Sequence, residues 1–130
     1  MVHDYRTSSV PTNVKHICLV EDQADIRAFL VQVIELETHH HVDAVATGSE
    51  ALHVAKEVRP QLFILDYSLP GMSGIELYDQ LQTIEEVANT PTIMVSAQLP
   101  TQEIAKRHII GLPKPFDLIT ILDMIEGLLA

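Results

Sequence analysis

The chain has little of what staples small secreted folds. Its 130 residues include one cysteine, Cys18, so no internal disulfide framework can form. Positive charge is scarce: 8 Lys and Arg stand against 18 Asp and Glu, a formal net charge of −10. A surface this acidic repels phosphate backbones, which argues against nucleic acid as a partner of the chain alone and favours cations, basic patches or other proteins. Nowhere do about 18 apolar residues run together, so no membrane-spanning helix is expected. The opening stretch MVHDYRTSSVPTNV lacks the apolar centre of a secretory leader, and a reducing, cytoplasmic setting is the expectation. Internal repeats, low-complexity tracts and linkers after residue 15 are missing too. What remains is 47% apolar and 20% charged. Such a chain suits one globular domain able to bury about two-thirds of its unfolded surface.

Residues 1–14 are polar and aperiodic and predict a flexible N-terminal tail, with the domain proper at 15–130. From residue 16 short apolar runs alternate with amphipathic ones. HICLV (16–20), 42–45, LFIL (62–65), TIMV (92–95) and 108–112 read as strands. Helices are predicted over 23–36, 49–58, 74–83, 102–107 and 117–129, their apolar stripes forming the core. Pro60 ends the second helix and Pro70-Gly71 makes a turn. Five alternations predict an α/β fold, a parallel sheet with helices on both faces. Pro113 falls in the last strand, which tolerates a missing N–H if it lies at an edge.

In such sheets the chemistry gathers at the carboxyl ends of the strands. Glu21 and Asp22 follow the first strand, Asp66 the third, Ser96 the fourth and Lys114 the fifth. Two carboxylates about 4 Å apart repel by roughly 4 kcal/mol at an effective dielectric near 20. Lys114 offsets one charge of three, leaving a demand for a small hard cation with oxygen ligands, which Mg²⁺ meets. Asp66 can then act as a nucleophile and carry a phosphoryl group as an acyl phosphate, with Ser96 and Lys114 contacting its oxygens.

The motifs LVED (19–22), FILDYSLPGMSG (63–74), IMVSA (93–97) and LPKPF (112–116), in that order and spacing, resemble those of the receiver domain of two-component response regulators, the CheY-like family, over about residues 14–130. The resemblance implies a flavodoxin-like (βα)5 three-layer sandwich with strand order 2-1-3-4-5. It implies Mg²⁺-dependent phosphorylation of Asp66 by a histidine kinase or histidine phosphotransfer protein. It implies Asp22 as a direct Mg²⁺ ligand with Asp66, Glu21 beside them through water, the Ser68 backbone carbonyl as a further ligand, and a cis Lys114–Pro115 bond. Signalling would follow from phosphorylation-dependent binding of a downstream protein by a stand-alone receiver, with at most slow self-dephosphorylation and no turnover. Two departures stand out. The stretch from Ser96 to Lys114 is short, which predicts a shortened fourth helix. Gly111 occupies the place, three residues before the lysine, where the family often has a switching aromatic.

Two rival readings remain open at this point. One is a pseudo-receiver, an interaction module not regulated by phosphorylation. The other is a Rossmann-type aspartyl-phosphate phosphatase, which wants a second acid two residues after the nucleophile, where this chain has Ser68. His39-His40-His41 reads as a polar turn, since in extended chain only His39 and His41 would share a side. Cys18 reads as a small buried hydrophobe, and Asp79, Glu85 and Glu86 as a solvated acidic face.

Overall fold

A computed structural model describes residues 13–130, so the tail expected over 1–14 lies almost wholly outside the described residues. Five strands form the central sheet: β1 (His16–Val20), β2 (His41–Val45), β3 (Leu62–Asp66), β4 (Thr92–Ser96) and β5 (Ile109–Pro113). All neighbours pair in parallel, in the order β2-β1-β3-β4-β5. Five helices alternate with them: α1 (Ala24–Thr38), α2 (Gly48–Val58), α3 (Gly74–Leu81), α4 (Thr101–Ala105) and α5 (Leu118–Leu129). The flavodoxin-like sandwich expected from the sequence is the one observed. Among the described residues no helix is long and apolar enough to cross a membrane.

The period of two along each strand divides the core into two layers. Ile17, Leu19, Leu62, Ile64, Ile93 and Val95 face α1 and α5, meeting Leu30, Ile34, Ile121 and Ile125. Cys18, Val20, Phe63, Leu65 and Met94 face the other way, onto Ala51 and Ala55 of α2 and Leu77 and Leu81 of α3. Because the central strands are covered on both faces, they read as continuous apolar runs. Cys18 is fully buried, and burial, aided by Asp43, pushes its thiol up to about 12, as suits an inert core residue.

Local chemistry sets the helix ends. Thr47 with Glu50, and Ser73 with Glu76, form reciprocal capping boxes at the starts of α2 and α3. His39 and Arg59 end α1 and α2 in left-handed conformations. The structure departs from the sequence reading in places. A two-residue antiparallel ladder, Ser68–Leu69 with Met72–Ser73, brackets the Pro70-Gly71 turn, and a 3-10 turn spans Glu85–Val87. Helix α4 has five residues, so the fourth helix is indeed short. The helix stripes are not all core: Ile26 and Phe29 of α1 are 36% and 50% exposed. On α1 the buried line is the narrower Leu30, Ile34, Thr38 row, spaced by four residues. Asp79 is not a merely solvated acid either, since Arg107 holds it with two hydrogen bonds of 2.7 and 2.8 Å.

Candidate functional site

The strand order reverses at β1, whose successor β2 lies on one side and β3 on the other, so a crevice opens at the carboxyl ends of β1 and β3. Val20 pairs with Leu65, which sets Glu21 and Asp66 side by side at that end. On the far side Ser96 pairs with Pro113, and the Lys114 N–H donates to the Ser96 carbonyl at 2.9 Å. Four consecutive strands thus deliver the side chains singled out by position. A cavity of about 590 Å³ is lined by Asp22, Asp66, Ser68, Ser96, Gln98 and Lys114, among others.

Carboxylate oxygens of Glu21, Asp22 and Asp66 all lie within 4.8 Å of one another. Lys114 Nζ donates to Asp66 Oδ2 at 3.1 Å and stands 3.8 Å from Glu21 Oε1. The Ser68 N–H donates to Asp66 Oδ1 at 3.1 Å. Among the described residues, three carboxylates against one ammonium leave two negative charges unbalanced. Glu21 is 4% and Asp66 8% exposed, so water does little to screen them. Burial pushes the Glu21 carboxyl above its usual range; Asp66 and Asp22 add to the rise, while the Gln23 N–H and Lys114 pull it down. The donor set is all oxygen, crowded and under-neutralised, which fits a hard divalent cation.

Ser96 lies in the cavity wall, but its hydroxyl is engaged elsewhere. It donates to the Gln98 carbonyl at 2.9 Å and accepts from the Gln98 N–H at 3.1 Å. The Lys114–Pro115 bond is cis, as the resemblance implied. Position 111 has an occupant of a different kind: a Cβ built on Gly111 would meet Leu99 Cδ1 at 3.0 Å and Ile104 Cδ1 at 3.4 Å. Two aliphatic side chains therefore cover the strand where the family often carries a ring.

Reading the sequence missed Gly74. Its N–H donates to the Tyr67 carbonyl at 2.7 Å, and a Cβ there would fall 2.7 Å from the Asp66 carbonyl oxygen. Only a residue without a side chain lets α3 start this close to the Asp66 loop. The Ser-x-x-Glu signature at Ser73–Glu76 marks that start and was the available signal.

Set beside known proteins, the chain matches the response regulator receiver domain over residues 17–126, and it belongs to that family. Sporulation initiation phosphotransferase F of Bacillus subtilis is 33% identical over 114 residues, covering 85% of this chain and 90% of that protein. The phosphate regulon transcriptional regulatory protein PhoB of Pseudomonas aeruginosa is 36% identical over 84 residues, but those make up only 36% of its length. The chemotaxis protein CheY4 of Vibrio cholerae superposes with a TM-score of 0.80 at 26% identity, covering 88% of this chain and 98% of that one.

Proposed function

We propose that this receiver accepts a phosphoryl group on Asp66 from the phosphohistidine of a histidine kinase or phosphotransfer protein, in a cytoplasmic signalling route. A carboxylate oxygen of Asp66 attacks phosphorus, the P–N bond breaks, and its electron pair returns to the imidazole. The observation that carries this reading is the position of Asp66: buried at the end of β3, 3.1 Å from Lys114, with two further acids within 4.8 Å. Lys114 is placed to neutralise a phosphoryl oxygen as it arrives. When bound, Mg²⁺ held by Asp22, Asp66 and the Ser68 carbonyl, with Glu21 beside it, would supply the remaining positive charge to the acids and the phosphoryl oxygens. An apolar recess lined by Ile26, Leu30, Val95, Pro115 and Phe116 adjoins the same pocket and suits the approach of a donor protein. Ser68 in place of a second acid gives no proton donor for turnover, so the domain serves as acceptor rather than hydrolase.

The test is incubation with acetyl phosphate and Mg²⁺, followed by intact mass. Wild type should gain one phosphoryl group, and Asp66→Asn or added EDTA should abolish the gain. Equal labelling of both proteins would move the site elsewhere, and no labelling of wild type would favour the pseudo-receiver.

The output follows from Ser96. A phosphoryl group on Asp66 offers its hydroxyl a better acceptor than the Gln98 carbonyl, because the acceptor is charged. Turning toward it releases the loop at Gln98, and with it Leu99, from over Gly111. The α4–β5 face is then remade for a downstream protein without an aromatic relay. Phosphorylation should shift the amide resonances of Gln98 and Gly111 in wild type, whereas Ser96→Ala, labelled with excess donor, should leave Gly111 unmoved.

A further inference from the structure

At the opposite end of the sheet lies a second cluster, independent of the phosphoryl reading. His16 opens β1 and His41 opens β2, and the two are partners in register. Asp43 follows two residues along β2, on the same face as His41. His16 Nδ1 is 2.9 Å from Asp43 Oδ2, and His41 Nε2 is 3.2 Å from Asp43 Oδ1. The two imidazoles meet edge to face with centroids 5.0 Å apart. Ligand atoms of all three residues lie within 4.8 Å of one another. Behind His41, Glu35 of α1 places Oε2 3.3 Å from Nδ1 and is itself held by the Val42 N–H at 2.8 Å.

His41 thus has a carboxylate at each ring nitrogen. A carboxylate only accepts, and a neutral imidazole has one N–H, so one contact sets lone pair against lone pair. A second proton or a metal cation relieves it. We propose that His16 Nδ1, His41 Nε2 and the Asp43 carboxylate bind a late first-row divalent cation of the Zn²⁺ type. Two imidazoles and one carboxylate suit such an ion and not Mg²⁺. Glu35 supplies the outer partner that fixes a metal-bound histidine's tautomer and orientation. The ion bridges β1 to the edge strand β2 and leaves positions for water. About 16 Å separate it from the Glu21 end of β1, at roughly 3.3 Å per residue.

With millimolar Mg²⁺ present to fill the acid pocket, Zn²⁺ titration of the full chain by calorimetry, with Co²⁺ absorption as a second probe, should show one further site per chain. His16→Gln and His41→Gln should each weaken binding at least about tenfold, and Glu35→Gln about tenfold, as for an orienting partner. Asp66→Asn, His39→Gln and His3→Gln should leave affinity unchanged. The side chains of His16, His41 and Glu35 are 43%, 52% and 37% exposed, so circular dichroism without metal should show their glutamine variants folded, and Zn²⁺ should raise the melting temperature of wild type but not of His41→Gln. Loss of binding in Asp66→Asn or His3→Gln with retention in His16→Gln and His41→Gln would overturn the proposal. So would failure of the wild-type chain to bind either Zn²⁺ or Co²⁺.

Discussion

Glu21 is the site acid whose ionisation its surroundings most clearly oppose. Burial, then Asp66 and Asp22, hold its carboxyl above the ordinary 4.5. The folded chain therefore keeps the Glu21 proton better than the unfolded chain does. Without divalent cations, this contribution to stability is fully present below 4.5 and is lost as pH rises through the raised folded value. Glu21→Gln keeps an oxygen for the Gln23 N–H and removes the charge. It should stabilise the metal-free protein at pH 7 and weaken Mg²⁺ binding about tenfold. Urea unfolding at pH 4 and pH 7, with and without Mg²⁺, checks both; an unchanged difference between the two pH values would refute the account. At this scale the sequence revealed identities better than directions. Glu21, Asp22, Asp66, Ser96 and Lys114 were legible because each closes or follows a short apolar strand. That the Ser96 hydroxyl turns to Gln98, and that His41 meets His16 instead of His39, depends on rotamers and strand register that no local pattern encodes.

Among the elements, α4 depends most on its neighbours. Five residues are too few for a helix to hold itself. Its C-terminal flank is tied down by Arg107, which binds Asp79 of α3 through Nε and Nη2 and reaches back to the Glu103 carbonyl at 2.9 Å. Hydrogen bonding from Arg107 holds the Asp79 carboxyl below its ordinary 3.8. That contribution is complete above 3.8 and is lost as pH falls through the lower folded value. Asp79 is half-exposed and the pair bridges two surface elements, so Arg107→Ala should lower global stability only modestly. Hydrogen exchange over residues 101–107 should nonetheless rise several-fold, and more so at low salt. Exchange that changes evenly across the chain would show that Arg107 does not anchor α4 in particular. Element types and order were readable from the alternation of periods, while the two-residue ladder and the 3-10 turn were not. Both are shorter than the window over which periodicity can be seen.

Over the whole molecule, negative charge acts in two ways that salt can separate. The formal net charge of −10 repels itself over long distances, and any added electrolyte screens this within about 10 Å at 0.1 M. The three acids at the sheet end sit within 4.8 Å of one another, and Glu21 and Asp66 are withdrawn from solvent, so screening relieves them little. A bound cation relieves them directly. Magnesium chloride should therefore raise stability along a saturating curve, by about 2.7 kcal/mol when free Mg²⁺ stands about a hundredfold above its Kd. Sodium chloride at matched ionic strength should give a shallow, unsaturating rise. Asp22→Asn should reduce the Mg²⁺ curve toward the sodium one while leaving the sodium curve in place, because it removes a ligand but changes the global charge by only one unit. Superimposable curves for the two salts in wild type would mean that the crowded acids relieve their repulsion without a divalent ion, and the metal-dependent reading of Asp66 would fall with that result.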